Sequence, residues 1–165
     1  MTSPDNAHAL TPIAAADRFI CEPDPAHPGW LRWDVTDHTR YNHVFIGPML
    51  LRRESGTTCR VRMAIEPKHT NAGEAIHGGT TLGFADVSMF AALYVLTGTD
   101  PIGSVTVDLS MQFVGAGSGK RPLDSVVELI RETKRLGFLR GTMVQGDRMV
   151  AAFSGTVRKP SIRAS

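Results

Sequence analysis

The chain has 165 residues, 42% of them apolar, and a formal net charge of only +2. That length supports one domain with a real core and is too short for two. The even charge balance leaves no footprint for nucleic acid, and two cysteines without a C-x-x-C spacing give neither a disulfide framework nor a zinc ribbon.

Met1 to Thr11 has no basic segment and no long apolar run, so no secretory signal is expected and the protein is placed in the cytoplasm. Prolines at positions 4, 12, 23, 25 and 28 punctuate residues 1–42, where only Leu10 to Ile20 has a helical pattern. This stretch reads as an N-terminal extension packing on a domain of residues 43–160, with a tail at 161–165. Trp30 and Trp33 anchor its end by aromatic packing. His43 to Arg53 reads as a strand, and Arg60 to Glu66 alternates with Val61, Met63 and Ile65 on one face.

A helix is predicted over His77 to Leu96, with Gly98 and Pro101 as stop signals. Its apolar residues run nearly all round, so it must be enclosed. The fifteen or so apolar-rich residues inside it fall short of a membrane span and contain Asp86. Val105, Val107, Leu109, Met111 and Phe113 then alternate with polar residues as a half-buried strand. Val126 to Lys134, Phe138 to Gln145 and Met149 to Val157 follow, with Gly146-Asp147 as a two-residue hairpin signal. The fold class is α+β: one long central helix wrapped by a curved antiparallel sheet of five to six strands.

Gly115 to Lys120 imitates a phosphate loop. The pattern, however, requires glycine where Val114 stands and Ser or Thr where Arg121 stands, so it reads as a flexible strand connection. No G-x-S-x-G elbow supports a serine hydrolase. His38 with His43, and His69 with His77, lack the spacing of a recognised metal site, and no metal is expected.

One carboxylate, Asp86, sits inside the apolar helix, and burying it is expensive unless its surroundings use it. Either it fixes the core through buried hydrogen bonds, or it is catalytic. Gly78 and Gly79 at the helix start leave backbone N–H groups pointing outward at the positive end of the helix dipole, where an ester or thioester carbonyl would be polarised. Glycine there also admits a close-lying substrate. The amide of Asn71 is placed to assist, and Thr106 on the following strand to hold a water. Asp86 lies eight positions beyond Gly78, roughly 12 Å along the helix axis. One carbonyl can therefore meet both groups only if they come from two subunits with antiparallel helices. The residues thus read as an acyl-transfer or hydrolysis site, shared across a dimer.

Asn71, His77-Gly78-Gly79, Asp86 and Val105-Thr106-Val107-Asp108-Leu109, in this order around a long apolar helix, resemble the hotdog-fold acyl-CoA thioesterases of the phenylacetyl-CoA thioesterase type. The resemblance spans about Val44 to Val157. It implies hydrolysis of an aryl- or medium-chain acyl-CoA to free acid and coenzyme A, with no cofactor beyond the substrate itself, in homodimers that often pair into tetramers. It also implies that Gly78 polarises the carbonyl with help from Asn71, and that Asp86 acts as base or nucleophile from the partner subunit. Thr106 falls where a water-positioning Ser or Thr is common, and His77 shapes the turn. Phe90, with Tyr94, is expected to set tunnel depth, and Arg135, Arg140 and Lys120 are candidates for the coenzyme A phosphates. Glu74 stands where glycine is frequent in such proteins, three places before the histidine. The alternative is a non-catalytic acyl-CoA-binding or sensing protein on the same fold, which has no need of Asp86. A dehydratase would want a His–Asp pair on the helix, and none is there.

Overall fold

The computed structural model describes residues 18–160. In chain order the strands are β1 (Phe19–Pro23), β2 (Leu31–Val35), β3 (Met49–Arg53), β4 (Thr58–Met63), β5 (Val105–Phe113), β6 (Leu123–Glu132), β7 (Leu136–Gln145) and β8 (Arg148–Arg158), with one long helix, α1 (Gly78–Thr97), between β4 and β5. All eight strands join one antiparallel sheet in the order β1-β2-β3-β4-β6-β7-β8-β5. The helix lies across this sheet, touching β3, β4, β5, β6 and β8. This is the hotdog fold expected from the sequence, with eight strands where five to six were expected.

The two additional strands come from the proline-rich stretch. Residues 10–17 of the expected helix lie outside the described residues, and Phe19 and Ile20 belong to β1. Pro25 and Pro28 sit in the turn of a hairpin, where the Asp24 carboxylate accepts the N–H groups of Ala26 and His27 at 2.8 and 2.9 Å. Proline suits such a turn because it pre-sets φ, and Asp because its side chain mimics a backbone acceptor. The strand expected from His43 also begins later. Asn42–Ile46 forms a π-helical turn, closed by Gly47 at φ 81° with its N–H on the carbonyl of Asn42.

Helix α1 runs one residue later at each end than the His77 to Leu96 expected. His77 caps it, its Nδ1 accepting the Gly79 N–H at 2.9 Å, and Gly98 closes it in the left-handed conformation at φ 74°. Phe84, Met89 and Leu93 are fully buried against Leu51, Met63, Leu123, Leu139 and Met143 of the sheet. Each such side chain contributes about 1.5–3 kcal/mol by leaving water. The helix approaches β8 so closely that a Cβ on Gly155 would lie 2.6 Å from Sδ of Met89. At 20 residues the helix is, by length and composition, sufficient to cross a membrane, contrary to the sequence reading. Two thirds of that window is instead buried in the protein's own core.

At the end of the sheet, β5 pairs with β8 alone among the described strands; Leu109 and Met111 are partly buried, but the apolar side chains toward its ends are bare. Val107 and Phe113 are 58% and 59% exposed, and Val105 is exposed beside them. The alternation read as a half-buried strand is real, but a single chain leaves much of that face uncovered.

Candidate active site

Asp86 projects from the middle of α1, and its Oδ1 accepts the Thr106 hydroxyl at 2.5 Å. A helix residue and a strand residue twenty positions apart meet because β5 returns alongside α1. The sequence reading gave Thr106 a water to hold; here its hydroxyl holds the carboxylate itself. A charge-assisted bond of this kind is short and directional, and it fixes which way the second oxygen points.

Asp86 lines a pocket of about 260 Å³. Val87 and Phe90 share its helix wall, Phe19, Trp33 and Val35 come from the β1–β2 hairpin, and Ile102 comes from the loop after the helix. Phe90, expected from the sequence to set tunnel depth, is one of the residues lining this pocket. Behind it, Tyr94 packs edge-on against Phe19 and Trp33, with centroids 5.1 and 5.4 Å away. Burial pushes the Tyr94 phenol above its ordinary pKa, so it stays neutral at physiological pH. Trp33 is therefore more than an anchor: it is part of the pocket wall. Trp30 packs elsewhere, under the guanidinium groups of Arg52 and Arg62.

Gly78 is the first residue of α1 and is exposed. Its N–H finds no acceptor among the described residues, whereas that of Gly79 is already bound to His77. The bare donor at the helix start is therefore one glycine and not two. Glycine at 79 answers to the cap, since a Cβ there would lie 3.0 Å from Nδ1 of His77. Asn71 ties the lead-in loop: its Oδ1 accepts the N–H groups of Gly73 and Ala75 at 2.9 and 3.2 Å. That leaves the amide NH2 unengaged among the described residues.

Glu74 occupies this loop at φ 59°, the one non-glycine residue at positive φ among those described. The loop is clamped from outside by residues 115–120. Ile76 donates to Gly117 and Gly119 donates to Glu74, and a Cβ on Gly119 would meet the Glu74 carbonyl oxygen at 2.6 Å. Buried Gln145 holds the clamp, accepting from Ser118 N–H at 2.7 Å and donating to the carbonyls of Ser118 and Arg121. The segment read as a flexible connection is thus the brace of the helix start. Its glycines mark close approach, and Gln145 gave no sequence signal beyond being polar in a strand.

The three cations expected to meet phosphates lie apart within one chain. Lys120 stands at the brace, 3.9 Å from Glu74. Arg135 lies in the β6–β7 turn, near the far end of α1, where Gly137 packs beside Leu93. Arg140 is on the outer face of the sheet, ion-paired with Glu128 at 2.7 Å. His69 is buried, its Nδ1 accepting from Glu66 N–H and its Nε2 donating to the Phe45 carbonyl, so with His77 as a cap this pair has no metal to hold. His38 and His43, set aside on spacing, stack on one another beside Asp34.

The family model of the thioesterase superfamily matches residues 73–152. A curated protein of Pseudomonas aeruginosa named "Putative esterase PA0474" is 29% identical over 115 residues, 70% of this chain and 85% of its own. The fold is shared with the PaaI protein of the phenylacetic acid degradation operon of E. coli, at TM-score 0.62 and 19% identity over 75% of this chain and 87% of that one. It is likewise shared with a hypothetical thioesterase from Streptococcus pneumoniae solved with coenzyme A, at TM-score 0.58 and 17% identity over 69% and 87%. Asp86 and the Gly78 helix start both lie inside residues 73–152, the segment that matches the thioesterase superfamily model, and the fold that carries them is the hotdog fold shared with the PaaI protein.

Proposed function

We propose that this protein hydrolyses an aryl- or medium-chain acyl-CoA to the free acid and coenzyme A, at sites composed by two subunits. The observation that carries the proposal is the Asp86–Thr106 pair opening into an apolar, aromatic-walled pocket, one segment of helix away from an unengaged N–H at Gly78. A cavity of about 150 Å³ suffices for benzene, and this pocket offers about 260 Å³. That space supports the reading of a phenylacetyl group or a medium-length alkyl chain.

The chemistry needs both ends of the helix segment. Asp86 takes a proton from water as the oxygen attacks the thioester carbonyl carbon. The resulting oxyanion is stabilised by the N–H of Gly78 of the partner subunit, with Asn71 beside it. The intermediate then expels the thiolate, which recovers the proton from Asp86. Water and acyl-CoA are consumed, and acid and thiol are released. The bare apolar side chains along β5 supply a surface for the required dimer. Antiparallel helices that set Asp86 against the partner's Gly78 also bring the Arg135 end of one chain toward the Lys120 end of the other. In such a dimer Arg135 and Lys120 are the cations we assign to the phosphates, with Arg140 at the outer face. Free cysteines at 21 and 59 suit a reducing compartment, and we place the protein in the cytoplasm.

A panel of acyl-CoAs read by thiol release tests this. Phenylacetyl- and medium-chain substrates should turn over, and Asp86→Asn should lose roughly a hundredfold or more in kcat while still binding. Binding without release by the native chain would establish the acyl-CoA-sensing alternative.

A further inference from the structure

We propose that Asp34, His38 and His43 form a binding site for a divalent transition-metal ion of the zinc class, outside the acyl pocket and independent of the activity assigned above. The donors converge from β2 and from the turn that leads to residues 42–46. Asp34 is buried, its Oδ2 2.9 Å from Nδ1 of His43 and 3.9 Å from Nε2 of His38. The two imidazoles stack in parallel, 8° apart in plane with centroids 3.8 Å apart. All three donor atoms lie within 4.8 Å of one another.

An ion bonded at about 2.0–2.1 Å in tetrahedral geometry holds its donors about 3.4 Å apart. The two separations to Asp34 bracket that value, and a tilt of His38 out of its stack on His43 brings both imidazole planes onto a common ion. The set of two imidazoles and one carboxylate suits borderline transition metals and is poor for calcium or magnesium, which prefer all-oxygen sites. Asp34 is already oriented for the task. Its Oδ1 accepts the Val35 N–H at 2.8 Å and lies 3.1 Å from Nδ1 of His43, and its Oδ2, nearer to both imidazoles, is the oxygen offered to the metal. His43 binds an ion through Nδ1 in the tautomer that carries its proton on Nε2. A simple hydrogen bond between His43 and Asp34 accounts for two of the residues. It leaves unexplained why His38, 60% exposed, lies flat on His43 with a nitrogen toward the same carboxylate.

The site has a consequence for the pocket behind it. Asp34 lies between Trp33 and Val35, and His43 follows Asn42; Trp33, Val35 and Asn42 all line the acyl pocket. A bound ion therefore fastens the pocket wall from outside without touching substrate.

Titration of the full chain with zinc, followed by calorimetry and by thermal melting, tests the site. One equivalent should bind and raise Tm. His38→Ala, which keeps the Asp34–His43 bond and hence the fold, should weaken binding at least about tenfold, while His27→Ala should not. Cobalt in place of zinc should give ligand-field bands without a thiolate charge-transfer band. Absence of saturable binding, equal affinity in His38→Ala, or a thiolate band pointing to Cys21 would each overturn the proposal, whatever the fate of the thioesterase assignment.

Discussion

The hydroxyl of Thr106 stands 2.5 Å from Oδ1 of Asp86, so strand β5 grips, on one oxygen, the helix α1 carboxylate that lines the pocket. This makes Thr106 a positioning residue. Removing a hydrogen bond to a charged group costs about 1.5–3 kcal/mol. Thr106→Val should accordingly lower kcat by roughly ten- to a hundredfold with little change in KM, and Thr106→Ser should restore most of it. Steady-state kinetics on a phenylacetyl or medium-chain thioester distinguishes this from a merely structural bond, whose loss would lower Tm and leave kcat unchanged.

The brace at the helix start has a measurable weak point. Glu74 adopts φ 59°, where a side chain costs about 1–2 kcal/mol relative to glycine. Glu74→Gly should be tolerated without loss of stability, whereas the β-branched Glu74→Val should lower Tm by about 2–4 °C for each kcal/mol lost. Gly119→Ala should cost more, because its Cβ meets backbone at 2.6 Å and has no flexible neighbour to push aside. Calorimetric melting of the three variants checks the order.

The β1–β2 hairpin should gauge the acyl chain. Trp33 closes the pocket from the side opposite the helix, and Trp33→Leu keeps an apolar wall while opening space. A methylene accommodated in an apolar pocket is worth about 1–3 kcal/mol. The ratio of kcat/KM for a chain two carbons longer over the native optimum should therefore rise at least about tenfold. An unchanged ratio would place the acyl group elsewhere.

Both thiols should be silent in a thiol-release assay. Burial pushes Cys21 up to about 11, with Glu22 adding to it, and pushes Cys59 up to about 12. The thiolate is the reactive form. A disulfide reagent at pH 8 should modify neither in the native chain over minutes and both after denaturation. Rapid native labelling of either would contradict the burial of that residue.

The helix and its carboxylate were legible because their signals are local: an all-round apolar run, a glycine at each end, and one charge out of place. The last three strands were legible from alternation and from the Gly146 turn. The β1–β2 hairpin was not, because five-residue strands interrupted by prolines carry too short a period to stand out. The brace was read as flexible because its restraint comes from Gln145, 27 residues away in the chain from Ser118. The grouping of Asp34 with His38 and His43 was invisible for a similar reason: a strand residue meets two turn residues, and no regular spacing records it. Whether Gly78 or Gly79 offers the open N–H depended on which nitrogen of His77 turned inward to cap the helix.

The composite site is tested most directly by complementation between two inactive variants. Gly78→Pro removes the polarising N–H at the first helical position, where proline is tolerated. His77, at φ −67° and ψ 139°, already has the conformation a residue before proline prefers. Asp86→Ala removes the base. When the two proteins are unfolded and refolded together, half the dimers are mixed, and each mixed dimer holds one intact pairing of Asp86 with the other subunit's Gly78. Activity should return to about a quarter of the native level. A mixture as inactive as its two components would show that the carboxylate and the amide do not meet across subunits.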